Sequence, residues 1–248
     1  MRLQGKSAIV TGGASGFGAG IVQKFVAEGA RVMIADVNEA DSVAIADKYD
    51  ASVRVKRCDI SKYEDVCALV STTHDAFGSV DIVVNNAGVT HLPMPMEQVD
   101  ETDFDRIMSV NVKAVYFMAR QVVPLMKDKG QGCILNIAST GGVSPRPNLT
   151  WYNASKGWMN TATRGMAVEL APFGIRVNAL NPVAGETPLL KSFMGEDTPE
   201  VRARFLSTIP LGRFSTPQDM GNAACYLCSD EASMVTGVCL EVDGGRCI

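Results

Sequence analysis

The residues best placed to do chemistry in this chain of 248 residues are Tyr152 and Lys156. They lie four positions apart in a stretch, Thr150 to Leu170, whose pattern reads as helical, so they share one face across a turn. A nearby ammonium favours the charged form of a phenol and lowers its pKa. A tyrosine tuned in that way can take or return a proton near neutral pH. By itself a Y-x-x-x-K pair is common on solvated helix faces, and its weight comes from the rest of the chain.

A second feature is the run Thr11-Gly12-Gly13-Ala14-Ser15-Gly16-Phe17-Gly18, which follows an apolar strand and opens a helix. Gly12 permits a sharp turn, Gly16 lets backbone approach a pyrophosphate, and Gly18 allows close packing of helix on strand. The helix start then offers free N–H groups and a positive dipole end to phosphate. The spacing is G-x-x-x-G-x-G rather than the commoner G-x-G-x-x-G.

Asp36 ends the second strand, 18 residues after Gly18, where a carboxylate can accept from adenosine ribose hydroxyls. Ser15 and Val37 stand where a cation would favour a 2′-phosphate. The expected cofactor is therefore NAD(H) in preference to NADP(H).

Those groups need a frame, and the pattern supplies one. Strands are expected at Ser7–Thr11, Arg31–Ala35, Val53–Arg57, Asp81–Asn85, Cys133–Ala138, Ile175–Leu180 and Val238–Val242. Several are continuous apolar runs, as in strands covered on both faces. Helical faces alternate with them: Ile21, Val22, Phe25 and Val26 closed by Gly29, and Val66, Leu69, Val70, Thr73 and Phe77 opened by capping-box spacing at Ser61–Glu64. Thr216-Pro217 reads as another helix start. The fold class is α/β, a single doubly wound Rossmann-type domain over 1–248 with a seven-stranded parallel sheet and helices on both faces. One segment, 183–215, breaks the rhythm and is expected to be a substrate lid with a short helix near Glu200–Ser207.

Composition narrows the function classes. Apolar residues make up 46% and charged residues 20%, which argues against disorder. The net charge of −4, with both signs interspersed, lacks the basic face of a nucleic-acid binder. No apolar run is long enough to span a bilayer, and Met1-Arg2-Leu3-Gln4-Gly5-Lys6 lacks the look of a secretory signal, so a cytoplasmic protein is expected. The seven cysteines fit reduced thiols. Cys225-x-x-Cys228 lies in an Ala/Leu/Tyr helix pattern and reads as two small core residues, so no metal site is expected.

Taken in order, Thr11–Gly18, Asn85-Asn86-Ala87-Gly88, Asn111, Ser139, Tyr152-Asn-Ala-Ser-Lys156 and Arg176-Val177-Asn178 resemble the motifs of the short-chain dehydrogenase/reductase family, over essentially the whole chain. Ser139 stands the family's usual 13 residues before the tyrosine. The resemblance implies that Tyr152 is the proton acceptor in alcohol oxidation and the donor in carbonyl reduction. It implies that Ser139 bonds the reacting oxygen and that Lys156 depresses the tyrosine pKa and binds the nicotinamide ribose. Asn111 would hold a water in a proton relay. Asp59 and Ile60 would lie near the adenine, and Asn86, Ala87 and Gly88 along the cofactor. Gly12, Ser15, Gly16, Phe17, Gly18 and Pro182 would also bind the cofactor, with Thr187 near the carboxamide. The family's Pro-Gly after the sixth strand is Pro182-Val183 here, which predicts a differently shaped loop because valine lacks glycine's freedom at positive φ. The family also implies a homotetramer.

The substrate is expected to be a small alcohol or carbonyl compound. Thr90, His91, Thr140, Gly141, Val143, Arg146, Trp151, Glu186, Phe193 and Met194 are candidate pocket residues. Arg146 could pair with an anionic group or be a solvated loop residue, and His91 could bind substrate or be an exposed loop residue. Segments 185–188, 193–199 and 236–240 resemble NAD-dependent dehydrogenases of sulfonated benzyl alcohols. The alternatives are a 3-oxoacyl-[acyl-carrier-protein] reductase, a glucose 1-dehydrogenase, and a dinucleotide-sensing protein without activity.

Overall fold

In the computed structural model, which describes residues 1–248, all seven strands join one parallel sheet. They are β1 (Ser7–Thr11), β2 (Arg31–Asp36), β3 (Val53–Arg57), β4 (Ile82–Asn85), β5 (Gly132–Ile137), β6 (Ile175–Pro182) and β7 (Cys239–Val242). Their order across the sheet is β3-β2-β1-β4-β5-β6-β7. The chain reverses direction of winding between β1 and β4, and in such sheets the ligand crevice opens at the carboxyl ends beside that point.

The helices are α1 (Gly16–Ala27), α2 (Glu39–Ala46), α3 (Tyr63–Phe77), α4 (Glu101–Ile107), α5 (Ala114–Lys129), α6 (Thr150–Leu170), α7 (Leu190–Met194), α8 (Pro199–Leu206) and α9 (Pro217–Cys228). Strand alternation sorts them into two layers. Ala8 and Val10 of β1 face Phe25 of α1 and Met220, Ala224 and Cys225 of α9. Ile9, between them, faces the other way, into a core with Leu69 of α3, Met118 and Val122 of α5 and Leu170 of α6. Burial of both faces in β1, β2, β4, β5 and β6 explains their continuous apolar runs, whereas the edge strands β3 and β7 stay largely open. Cys225 and Cys228 are buried core residues, as their helical context suggested.

Most differences from expectation are single residues at element ends. The Ser61–Glu64 capping box is a correction. α3 starts on Lys62 without a side-chain cap. The Ser61 hydroxyl bonds Asp59 Oδ1 (2.6 Å) instead, and Asp65 reaches back to the Asp59 N–H (2.9 Å). A reciprocal box does form at α9, between Thr216 and Asp219.

The segment 183–215 has its own small core of Val183, Leu190, Met194, Ile209 and Phe214. Its ends are tied together: Ser215 Oγ donates to the Val183 carbonyl (3.1 Å), and the Glu186 N–H donates to the Ser215 carbonyl (2.9 Å). Val183 is 4% exposed and continues from β6 with negative φ. The valine thus exchanges glycine's freedom for a buried anchor under α7.

Candidate active site

One cleft of about 480 Å³ opens along the carboxyl ends of the strands. Its floor is the glycine loop. Gly12 and Gly16 have φ of +62° and +52°, where a side chain would be strained. A Cβ on Gly12 would lie 2.9 Å from Ala87 Cα, so the loop is pressed onto the chain after β4. Asn86 holds that contact: its amide donates to the carbonyls of Thr11 (2.8 Å) and Gly12 (3.0 Å). Thr11 Oγ1 accepts from the N–H groups of Asn86 and Ala87 in return. The Asn-Ala-Gly motif therefore works partly as a clamp on the glycine loop.

The residues present suit a dinucleotide. α1 begins at Gly16, straight after the glycine loop that lines the cleft, with no side-chain cap and no acid in its first turn. Uncapped N–H groups at a helix start are the donors a pyrophosphate uses. Asp36, on the cleft wall, accepts from the N–H groups of Ala14 (3.1 Å) and Asn38 (3.0 Å), one on each oxygen. A carboxylate has room for more donors than that, such as ribose hydroxyls. Gly18 is off the cleft wall: a Cβ there would lie 2.1 Å from the Gly12 carbonyl oxygen, the close packing its position predicts.

Ser139, Tyr152 and Lys156 line the same cleft. Ser139 follows β5, and its Oγ accepts from the Gly141 N–H at 3.0 Å. Tyr152 and Lys156 sit on the buried face of α6, at 6% and 3% exposure. Lys156 Nζ donates to the Ile137 carbonyl (2.8 Å) and lies 5.9 Å from the Tyr152 ring centre. Burial pushes the phenol up to about 12, and the neighbouring Ser139 hydroxyl pulls the other way. Burial also pushes the Lys156 ammonium down to about 8. The expected lowering of the phenol by the ammonium is corrected here: burial sets the direction for both groups, and the one opposing influence on the phenol is the Ser139 hydroxyl.

Asn111 stands one layer behind the cleft, fully buried in a π-helical turn, Met108–Lys113, between α4 and α5. A Cβ on Gly88 would lie 3.3 Å from Lys156 Nζ and 3.4 Å from Asn111 Oδ1, so only a glycine's width separates the two.

All the other residues expected at the cofactor line the cleft: Ser15, Phe17, Asp59, Ile60, Ala87, Gly88, Pro182 and Thr187. Thr187 also packs on the glycine loop, 3.1 Å from where a Gly16 Cβ would be. Of the substrate candidates, Thr140, Gly141, Arg146 and Phe193 line the cleft, and Thr90, His91, Val143, Trp151, Glu186 and Met194 do not. His91 is buried rather than exposed, its Nδ1 2.7 Å from the Leu92 carbonyl. Trp151 turns away to stack edge-on with Phe104 and bond the Met96 carbonyl. The sequence reading missed Leu149, Leu189 and Phe205. These are ordinary apolar residues with no local signal, brought to the cleft by the fold of 183–215 and the loop before α6.

A parallel sheet with a glycine loop at its winding reversal, and Ser, Tyr and Lys buried in the same cleft, defines a dinucleotide-dependent oxidoreductase architecture. Comparison with known proteins places it further: the chain belongs to the short-chain dehydrogenase/reductase family. Residues 12–246 match the family model described as enoyl-(acyl carrier protein) reductase. The chain is 48% identical to the 4-formylbenzenesulfonate dehydrogenase of Comamonas testosteroni, over 99% of both chains. It is 40% identical to the 2,5-dichloro-2,5-cyclohexadiene-1,4-diol dehydrogenase of Sphingobium indicum, over 98% of this chain and 97% of that one. Among solved structures it resembles a 3-ketoacyl-(acyl-carrier-protein) reductase from Brucella melitensis complexed with NADH. That match has a TM-score of 0.95 and 49% identity, covering 99% of this chain and 100% of that one. The protein is an oxidoreductase of this family.

Proposed function

We propose that this enzyme uses NAD(H), in preference to NADP(H), to interconvert an alcohol and its aldehyde or ketone, with Tyr152 as general acid/base. The observation that carries the reading is that Ser139, Tyr152 and Lys156 line the same cleft as the glycine loop at the start of α1. When bound, the nicotinamide supplies the hydride acceptor or donor. Gly12, Ser15, Gly16, Phe17, Asn86, Ala87 and Gly88 hold the dinucleotide along the floor, with Asp36, Asp59 and Ile60 at its adenosine end. Pro182 and Thr187 border the nicotinamide end. Gly18 and Asn111 shape this floor from behind it.

Ser139 Oγ, oriented by the Gly141 N–H, presents its own hydrogen to the substrate oxygen. The Tyr152 hydroxyl takes the carbinol proton in oxidation and returns one in reduction. Lys156, held by the Ile137 carbonyl, keeps a positive charge beside the phenol and donates to the ribose. Asn111 fixes the backbone next to Gly88 and would hold a water of a proton relay. The segment 183–215 serves as a lid, since Thr187 already touches the glycine loop and Phe193 stacks on Tyr152 at 5.0 Å.

NAD(H) preference is supported by Asp36 on the cleft wall, with Ser15 and the 59%-exposed Val37 beside it instead of cations. The enzyme works in the cytoplasm as a homotetramer. Support for assembly comes from exposed apolar residues on α5 and α6, including Tyr116, Trp158 and Val168. None of the helices is long and apolar enough to cross a membrane.

The test is NAD⁺ reduction followed by nicotinamide absorbance across benzyl alcohols, sugars, aliphatic secondary alcohols and 3-hydroxyacyl thioesters. Tyr152→Phe serves as the blank. Turnover of one class that vanishes in the variant is expected. Equal turnover in the variant would remove Tyr152 from the mechanism. A best substrate among the thioesters would turn the reading toward carrier-protein chemistry.

A further inference from the structure

Within the cleft, the chemistry of Tyr152 leaves Arg146 unused. Its guanidinium lines the cleft wall, half-buried, with its face 4.4 Å from the centre of the Phe205 ring. Of its five N–H donors, one bonds a protein group, the Thr208 hydroxyl at 2.9 Å. No carboxylate lies within 4.0 Å of it, although nine ion pairs form elsewhere in the molecule.

A second arginine approaches the same loop. Arg246 donates to the Ser144 carbonyl (3.2 Å), and its buried Nε has no partner. Arg246 likewise has no carboxylate within ion-pair distance. Burial, reinforced by the Arg246 charge, pushes Arg146 down to about 10. Two neighbouring guanidinium groups without an acid make a site that is unfavourable until an anion arrives. Guanidinium suits carboxylate and sulfonate oxygens because its forked donors match them in pairs.

The surroundings limit what carries that anion. Phe193 stacks on Tyr152 and Phe205 on Arg146, while Leu149, Val183 and Leu189 complete an apolar lining. The Asn153 amide donates to the Arg146 carbonyl at 2.8 Å, which pins the arginine's loop to the helix holding the phenol. The spacing between the two polar groups is therefore set by the fold.

We propose that Arg146, backed by Arg246, is an anion subsite that selects aromatic alcohols or aldehydes bearing a carboxylate or sulfonate at the end remote from the reacting carbon. The inference rests on the oxidoreductase reading above for the reacting end alone. Arg146 makes the direct contact, and Arg246 is a positioning residue that raises the local positive potential.

The test combines binding and turnover. Benzyl alcohol, 4-(hydroxymethyl)benzoate and 4-(hydroxymethyl)benzenesulfonate are titrated by calorimetry into the protein, with and without NADH, and kcat/KM is measured for each with NAD⁺. The anionic compounds should bind about 100-fold more tightly than benzyl alcohol, the scale of a desolvated charge pair. Arg146→Gln should bring that ratio close to one, Arg146→Lys should restore part of it, and Arg246→Gln should lower it about tenfold, a smaller loss because that charge is one step removed. A thermal melt confirms that each variant is folded. Equal binding of the three compounds by the parent protein overturns the proposal, as does an unchanged ratio in Arg146→Gln. Anion-dependent binding without hydride transfer from any compound would leave the subsite standing and remove the proposed Tyr152 reaction on these alcohols. Turnover of benzyl alcohol without anion preference would do the reverse.

Discussion

Asn111 holds the backbone of Val89 in both directions: its Oδ1 accepts from the Val89 N–H and its Nδ2 donates to the Val89 carbonyl, each at 2.9 Å. The same Nδ2 reaches Ser155 Oγ at 3.0 Å, and Ser155 Oγ donates to the Tyr152 carbonyl at 2.7 Å. One buried side chain thus joins the loop after β4 to the helix that carries Tyr152 and Lys156. Asn111→Leu would leave these groups unpaired and should cost about 3 kcal/mol of stability. Ser155→Ala, which removes fewer bonds, should cost about 1 kcal/mol. Urea unfolding of both variants checks this, and comparable small losses would show that the junction is not structural.

The pH dependence of turnover follows from the Tyr152–Lys156 pair. The phenol is pushed up to about 12 and the ammonium down to about 8, so both are protonated at neutral pH. Oxidation needs a proton acceptor, and its kcat/KM should rise with pH and keep rising beyond about 8. Reduction needs the proton in place, and the phenol keeps it until the pH approaches about 12, so reduction should fall only at higher pH than oxidation begins to rise. Because the groups interact, the limb belongs to the pair. An oxidation rate that falls between about pH 6 and 8 would contradict this assignment.

Lys156 should weaken the fold while serving the reaction. Its folded pKa of about 8 lies below the ordinary 10.5, so the unfolded chain binds more protons between those values. Stability contributed by this group therefore rises with pH across that window, and the penalty for the buried charge is fully present below it. Lys156→Met should raise stability at neutral pH by about 1–3 kcal/mol and lower turnover at least about 100-fold. Chemical unfolding near pH 7 and near pH 10 separates the parent from the variant. A variant less stable than the parent at both pH values would defeat the argument.

Cofactor choice is open to exchange at Asp36. The carboxylate accepts from Ala14 and Asn38, and Val37 next to it is exposed. Asp36→Ser combined with Val37→Arg should remove the repulsion toward a 2′-phosphate and supply a cation. The ratio of NADPH to NADH affinity should shift by about 100-fold toward NADPH, measured as Kd by fluorescence. A parent protein that already binds NADPH more tightly would overturn the NAD(H) preference.

Much of this protein was legible in order along the chain. All seven strands were foreseen to within a residue or two at their ends: the five inner ones leave continuous apolar runs because both faces are buried, and the edge strand β3 alternates apolar with charged residues. Gly12, Gly16 and Gly18 were legible because each answers to a local demand of turn, approach or packing. Tyr152 and Lys156 were legible as neighbours because a helix brings positions four apart together. The capping box expected at Ser61 does not form, since Asp59 takes both the hydroxyl and the N–H of Ser61.

What the sequence by itself determined is the set of elements, the phosphate loop and the identity of the polar groups, since all of these depend on local periodicity and residue type. The tertiary structure alone decided which groups share a surface. It turned Trp151 and His91 away from the cleft, set Leu149 and Phe205 into its wall, and brought Arg246 from the end of the chain up to Arg146. It also reversed the expected shift of Tyr152, because desolvation depends on everything packed around a group and not on the neighbour four residues away.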